Sequence, residues 1–160
     1  MREPSALHEK DVRKTYRYTL VITCVLFGLS TVMASAEGAK RIKLVERATT
    51  DTTAHIGPKP DNLGDVLTFS NEIFDAANKR HVGTDQGYCL RVVVGRAFEC
   101  TWTLSLPDGQ IVVAGPFYDT ADSVLAVTGG TGAYAGARGE MALHARDAKG
   151  TEYDFTYSLR

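Results

Sequence analysis

From Arg41 onward, apolar and polar side chains alternate with a period of two. RIKLVER (41–47) sets Ile42, Leu44 and Glu46 on one face. In LGDVLTFSNEIFD (63–75), Leu63, Asp65, Leu67, Phe69 and Asn71 alternate with Val66, Thr68 and Ser70. GYCLRVVVG and AFECTWTLSL flank Gly95, and Pro107-Asp108-Gly109 joins the second of these to GQIVVAG. DSVLAVTGG ends in a glycine-rich turn, and RGEMALHARD and TEYDFTYSLR flank Ala148-Lys149-Gly150. Short alternating runs cut by turn residues read as antiparallel strands. The polar stretch TTDTTAHIGPKPDN reads as a loop. The pattern predicts an all-β domain of about eight strands, closed into an antiparallel barrel or folded as a sandwich, with no amphipathic helix. An eight-stranded barrel leaves an interior just wide enough for one small ligand.

The first forty residues break the pattern. Arg2, Lys10, Arg13, Lys14 and Arg17 precede an uncharged apolar run from Tyr18 to Met33, which ends at Ala34-Ser35-Ala36. A basic segment, an apolar run and an Ala-x-Ala site make a secretory signal. Cleavage after Ala36 leaves a domain over residues 37–160 and a secreted or extracytoplasmic protein. The alternative is an uncleaved anchor, with residues 18–33 as a membrane tether, although the run is short for a spanning helix.

A formal net charge of -1 gives no basic surface for nucleic acid. Cys24 lies in the apolar run. Cys89 and Cys100 face each other across a hairpin turning near Val94 to Phe98. They form either a cross-strand disulfide or two buried free thiols. No metal site is expected, since His55, His81 and His144 are scattered and none completes a ligand set with the cysteines. Ser70 and Ser123 lack a nucleophile's context. The glycines at 129, 130 and 132 serve a tight reversal rather than phosphate binding, because no Lys-Ser/Thr and no helix follow.

Several segments, in order and spacing, resemble plant allene oxide cyclases: LGDVLTFSNEIFD, HVGTDQGYCLRV, GQIVVAGPFYDTADSVLAVTGGTGAYAGARGEM and YDFTYSL. VTGGTGAYAGARGEM is also similar to a signature of the related dirigent proteins. The resemblance implies a barrel that holds a small apolar, reactive molecule and promotes ring closure by orientation, without a cofactor. It sets Asn71 in the place of a water-holding Asn, with Leu67 and Phe69 beside it on the barrel wall. It matches Cys89 to a pocket cysteine, and Phe117 to a tyrosine whose hydroxyl is missing here. The first strand lacks the family's Glu-x-Asn pattern. It offers Glu46 as the acid, although an alignment on Glu46-Arg47 sets Lys43 in that place. By the usual exposure of glutamate, Glu46 reads instead as a solvated strand residue. Trp102 and Tyr134 join Phe69 and Phe117 as inward aromatics, at once core and cavity wall. Asn71 and Glu46 are thus the candidate catalytic pair, and Leu67, Phe69, Cys89, Trp102, Phe117 and Tyr134 the candidate substrate contacts. A dirigent-like protein that steers coupling without catalysis, or a lipocalin-like carrier, are the alternative readings. Plant relatives form trimers, so the resemblance also allows a homo-oligomer.

Overall fold

The computed structural model describes residues 40–160. The signal or tether read into residues 1–36 lies outside the described residues. Nine strands follow one another: β1 (Lys40–Arg47), β2 (Thr52–Ala54), β3 (Val66–Asp75), β4 (His81–Val93), β5 (Ala97–Leu106), β6 (Gly109–Tyr118), β7 (Ser123–Gly130), β8 (Gly139–Ala145) and β9 (Glu152–Leu159). From β3 to β9 each strand pairs antiparallel with the next, so the chain meanders. β1 pairs with β9 from Lys40↔Leu159 to Arg47↔Glu152, and with β3 from Leu44↔Asp75 to Arg47↔Glu72. These two pairings close an eight-stranded antiparallel barrel and leave it no free edge.

The stretch read as a loop holds one more strand. β2 pairs only with the start of β3, through Thr52↔Thr68, Thr53↔Leu67 and Ala54↔Val66. It takes over the β3 edge where β1 leaves it. Three residues among turn-forming neighbours carry too little alternation to show in the sequence.

Alternation decides what fills the barrel. Leu104, Ile111, Val113, Leu125, Met141, Phe155 and Tyr157 all point inward and are essentially inaccessible to solvent. Full burial of a side chain of this size contributes roughly 1.5–3 kcal/mol. One end is sealed by a 3-10 turn at Gly132–Tyr134 between β7 and β8. Gly132 has φ 58°, and a Cβ there would strike the Asp108 carbonyl, so the reversal needs glycine. Tyr134 is buried in this plug, with the Lys40 ammonium 4.7 Å from its ring centroid.

Candidate functional site

The opposite end is built differently. Cys89 of β4 and Cys100 of β5 are register partners and form a disulfide across the hairpin, both side chains buried on the inner wall. Of the two sequence alternatives, the structure holds the disulfide. Gly87 faces Trp102 on the same pair of strands, and a Cβ at Gly87 would collide with the Trp102 Cβ. The missing side chain lets the indole lie against β4. Trp102 then packs edge-on to Phe69 (centroids 5.8 Å apart) and stacks on Phe155 (5.9 Å). Nearer the mouth, Phe117 and Tyr153 meet edge-on at 5.9 Å, and both are half-buried.

These rings, with Leu67, Leu143 and Cys89, wall a cavity whose polar lining includes Glu46 and Asp51. The void measures about 30 Å³, room for about two waters.

Glu46 is buried, not solvated. Its inward register on β1, between Ile73 of β3 and Tyr153 of β9, overrides the usual exposure of glutamate. Lys43 is exposed and points away from the barrel interior, so Glu46 is the charged side chain that β1 turns inward. Asn71 of β3 stands beside it. Its Nδ2 donates to Glu46 Oε1 (2.9 Å) and Asp51 Oδ1 (2.8 Å). Its Oδ1 accepts from the Thr49 and Thr50 backbone N–H groups (both 3.0 Å) and the Thr50 hydroxyl (2.8 Å). Protein groups therefore occupy every hydrogen-bonding position of the amide. Asn71 orients the Glu46 carboxyl and straps the loop after β1 to the barrel.

Asp85 of β4, the register partner of Asn71, completes the cluster. It is fully buried, and neither carboxyl oxygen accepts a hydrogen bond. A bare carboxylate in that state is very costly. Burial, then the Glu46 charge beside it, pushes the Asp85 carboxyl up to about 9. It is therefore protonated at neutral pH, a donor aimed at Glu46. Burial also pushes Glu46 up to about 7, against the lowering effect of the Asn71 hydrogen bond and with a further rise from Asp51. The two carboxyls are coupled, so their protonation belongs to the pair and not to either one alone. Tyr153, pushed up to about 12 by burial and then by Glu46 and Asp51, stays a neutral phenol.

The rim is tied down separately. Asp65, wholly buried, accepts from the Ile56 and Asn62 backbone N–H groups (both 2.9 Å) and lies 2.6 Å from His55 Nδ1. Burial would raise its carboxyl, but these hydrogen bonds win and hold it well below the usual range. Arg91 lies over the Phe98 ring (3.5 Å) and pairs with Asp61 (2.8 Å) and Asp119 (2.7 Å). His81 pairs with Glu72, and His144 with Asp122, at the surface.

The structure thus brings Glu46, Leu67, Phe69, Cys89, Trp102 and Phe117 to one cavity, with Asn71 directly behind Glu46. It does not bring Tyr134 there: that ring lies in the plug at the other end, because alternation stops where the chain enters the 3-10 turn. Sequence reasoning missed Asp51, Asp85, Tyr153 and Phe155. Asp85 had a signal, since it lies four residues before Cys89 and therefore on the same strand face.

The described residues thus form a closed antiparallel barrel, sealed at one end and opening at the other onto an aromatic-walled cavity with a buried acid. Residues 42–158 match the family model described as allene oxide cyclase, and the chain belongs to that family. The fold is shared with solved structures of low identity. A pyocyanin demethylase is 24% identical, with 76% of this chain and 100% of that chain covered and a TM-score of 0.66. A pterocarpan synthase dirigent protein is 15% identical, covering 77% and 94%, with a TM-score of 0.62. An exo-specific intermolecular Diels-Alderase is 14% identical, covering 76% and 98%, with a TM-score of 0.61.

Proposed function

We propose that the barrel is an isomerase that binds a small, largely apolar, reactive molecule in the mouth cavity and promotes its ring closure. One observation carries this reading: a buried carboxyl poised near neutrality, Glu46, forms part of the lining of an otherwise aromatic cavity. A carrier of apolar ligands has no need of an inward acid, and burying one is costly. A group that titrates near the working pH is suited to give and recover a proton.

In this reading Glu46 protonates a substrate heteroatom as its bond to carbon breaks. The walls hold the chain folded while the new ring bond forms, and the proton returns to Glu46. The net change is isomerisation, with no co-reactant. Asn71 and the protonated Asp85 fix the Glu46 carboxyl and take no part in the bonds themselves. The void holds about two waters, so binding requires Phe117 and Tyr153, the half-buried pair at the mouth, to swing outward. The disulfide is in keeping with an exported protein, since such bonds persist in oxidising compartments. Solved structures of the same fold include a dirigent protein and a Diels-Alderase, and ring-forming or coupling chemistry is in keeping with such a barrel.

The test is turnover of a panel of allene oxides and polyenes followed by NMR, with folding checked by near-ultraviolet circular dichroism. Glu46→Gln should lower the rate by roughly 10²–10⁴-fold, as expected for loss of a general acid-base group. Equal turnover in a folded Glu46→Gln variant would refute the assignment.

A further inference from the structure

The cavity's charge is one-sided. Its lining holds two carboxyls, Glu46 and Asp51, and no Lys or Arg. Asn71 joins these two acids through its two Nδ2 hydrogens, so it spaces them without neutralising either. Behind them lies a third carboxyl, that of Asp85, fully buried and accepting no hydrogen bond. Three arginines toward this end are engaged elsewhere, Arg146 by Glu152 and Asp154. Arg47 lies over the Phe74 ring and bonds Asn78, and Arg91 is held by Asp61 and Asp119. The remaining walls are five aromatic rings together with Leu67, Leu143 and the disulfide at Cys89.

Facing aromatic rings with carboxylates at one side attract positive charge. An anionic ligand would find like charge and no cation to neutralise it. We propose that the mouth cavity is selective for an organic cation: a compact, largely apolar ligand bearing a delocalised or quaternary positive charge, held between the Trp102, Phe69 and Tyr153 rings with that charge toward Glu46 and Asp51. This inference rests on the mouth cavity being the ligand site, as the isomerase reading also requires; for a cationic ligand Glu46 is the counter-ion and not the proton donor, so the two readings share the cavity and differ in the state of Glu46.

A proton signature follows. Glu46 is faced by Asn71 from β3, Asp85 from β4, Tyr153 and Tyr157 from β9, and Asp51 from the loop after β1. None of these is a cation, so nothing resident favours its ionised form by charge. A bound cation does, and binding therefore expels the proton from Glu46. Affinity for a cation is fully present at high pH and is lost as the pH falls through about 7.

Trp102 is the only tryptophan in the chain and lines the cavity, so its fluorescence reports occupancy directly. The experiment titrates the disulfide-intact protein with N-methylquinolinium and, separately, with its uncharged isostere 1-methylnaphthalene, at pH 6 and pH 8. The cation should bind roughly tenfold more tightly at pH 8 than at pH 6, as release of one proton requires. The neutral twin should bind more weakly at pH 8 and show no pH dependence. Asp51→Asn, at an exposed position, should weaken the cation alone. If the neutral twin binds as tightly as the cation at pH 8, selectivity for cations is refuted while the cavity stands as a binding site. If neither probe perturbs Trp102 at either pH, the cavity itself is refuted as the ligand site, and the inference falls with it.

Discussion

The two ends of the barrel use the same alternating strands and reach opposite results. At the sealed end, Ile111 and Leu159 are buried beside the Gly132–Tyr134 turn, with Tyr134 buried in it. At the mouth, Leu67, Phe69, Phe117 and Tyr153 are only partly covered, and Glu46, Asn71 and Asp85 occupy positions that at the other end belong to aliphatic side chains. The sealed end therefore supplies packing energy. The mouth instead holds groups that cost free energy to bury, and it is held together by hydrogen bonds, ion pairs and one covalent link. A site for chemistry is placed where the fold is least self-sufficient, and the other end offsets the cost.

Truncation at the sealed end should have the largest effect on stability. Ile111→Ala should destabilise the barrel by about 2–5 kcal/mol in urea denaturation, as large-to-small core changes do, and leave the Trp102 response to cavity ligands unchanged. A loss below about 1 kcal/mol would mean that this end is not the packed one. Next comes the covalent link at the mouth. Replacing both Cys89 and Cys100 by Ala should cost about 2–4 kcal/mol, read from the same denaturation curves.

The ends also differ in their response to pH. Asp85 and Glu46 have folded-state values raised above their unfolded ones, so each favours the folded barrel in acid. That contribution is complete below about 4 and is lost as pH rises toward about 9 for Asp85 and about 7 for Glu46. Wild-type stability should therefore decline from pH 5 to pH 9, and Asp85→Asn should flatten much of that slope. An unchanged slope in the variant would mean that Asp85 carries no buried proton. The smallest effect is expected at the rim: Phe117→Tyr adds a hydroxyl at a half-buried position and should shift stability by no more than about 0.5 kcal/mol.

Most of the barrel could be read from the chain because period two is a local signal, repeated in β3 to β9. The cavity wall came instead through the family resemblance, which set Leu67 and Phe69 beside Asn71 and matched Cys89 and Phe117; the structure sets these residues and Trp102 around one cavity. What escaped depends on partners distant in sequence. An Asp in GTDQG reads as a turn or solvent residue until the β3 register sets it opposite Asn71. The exposure habit of Glu likewise hides Glu46 until β1 is enclosed by both β3 and β9. Tyr134 was misplaced for the converse reason, because a strand phase was carried into a segment that is not a strand.

The closure of β1 on β9 has a consequence for how the molecule forms. Lys40 and Leu159 are register partners although they stand at opposite ends of the described chain. The hairpins from β3 to β9 join neighbours and can form as each pair of strands becomes available. The edge of β1 that faces β9 has no partner until the last strand has been made. Long-range pairings of this kind close late and slowly, because the loop entropy is lost before any contact compensates it. Until that step, Glu46 stands on an open edge, away from half of the groups that desolvate it. The acid therefore acquires its unusual character only when the two ends of the fold meet.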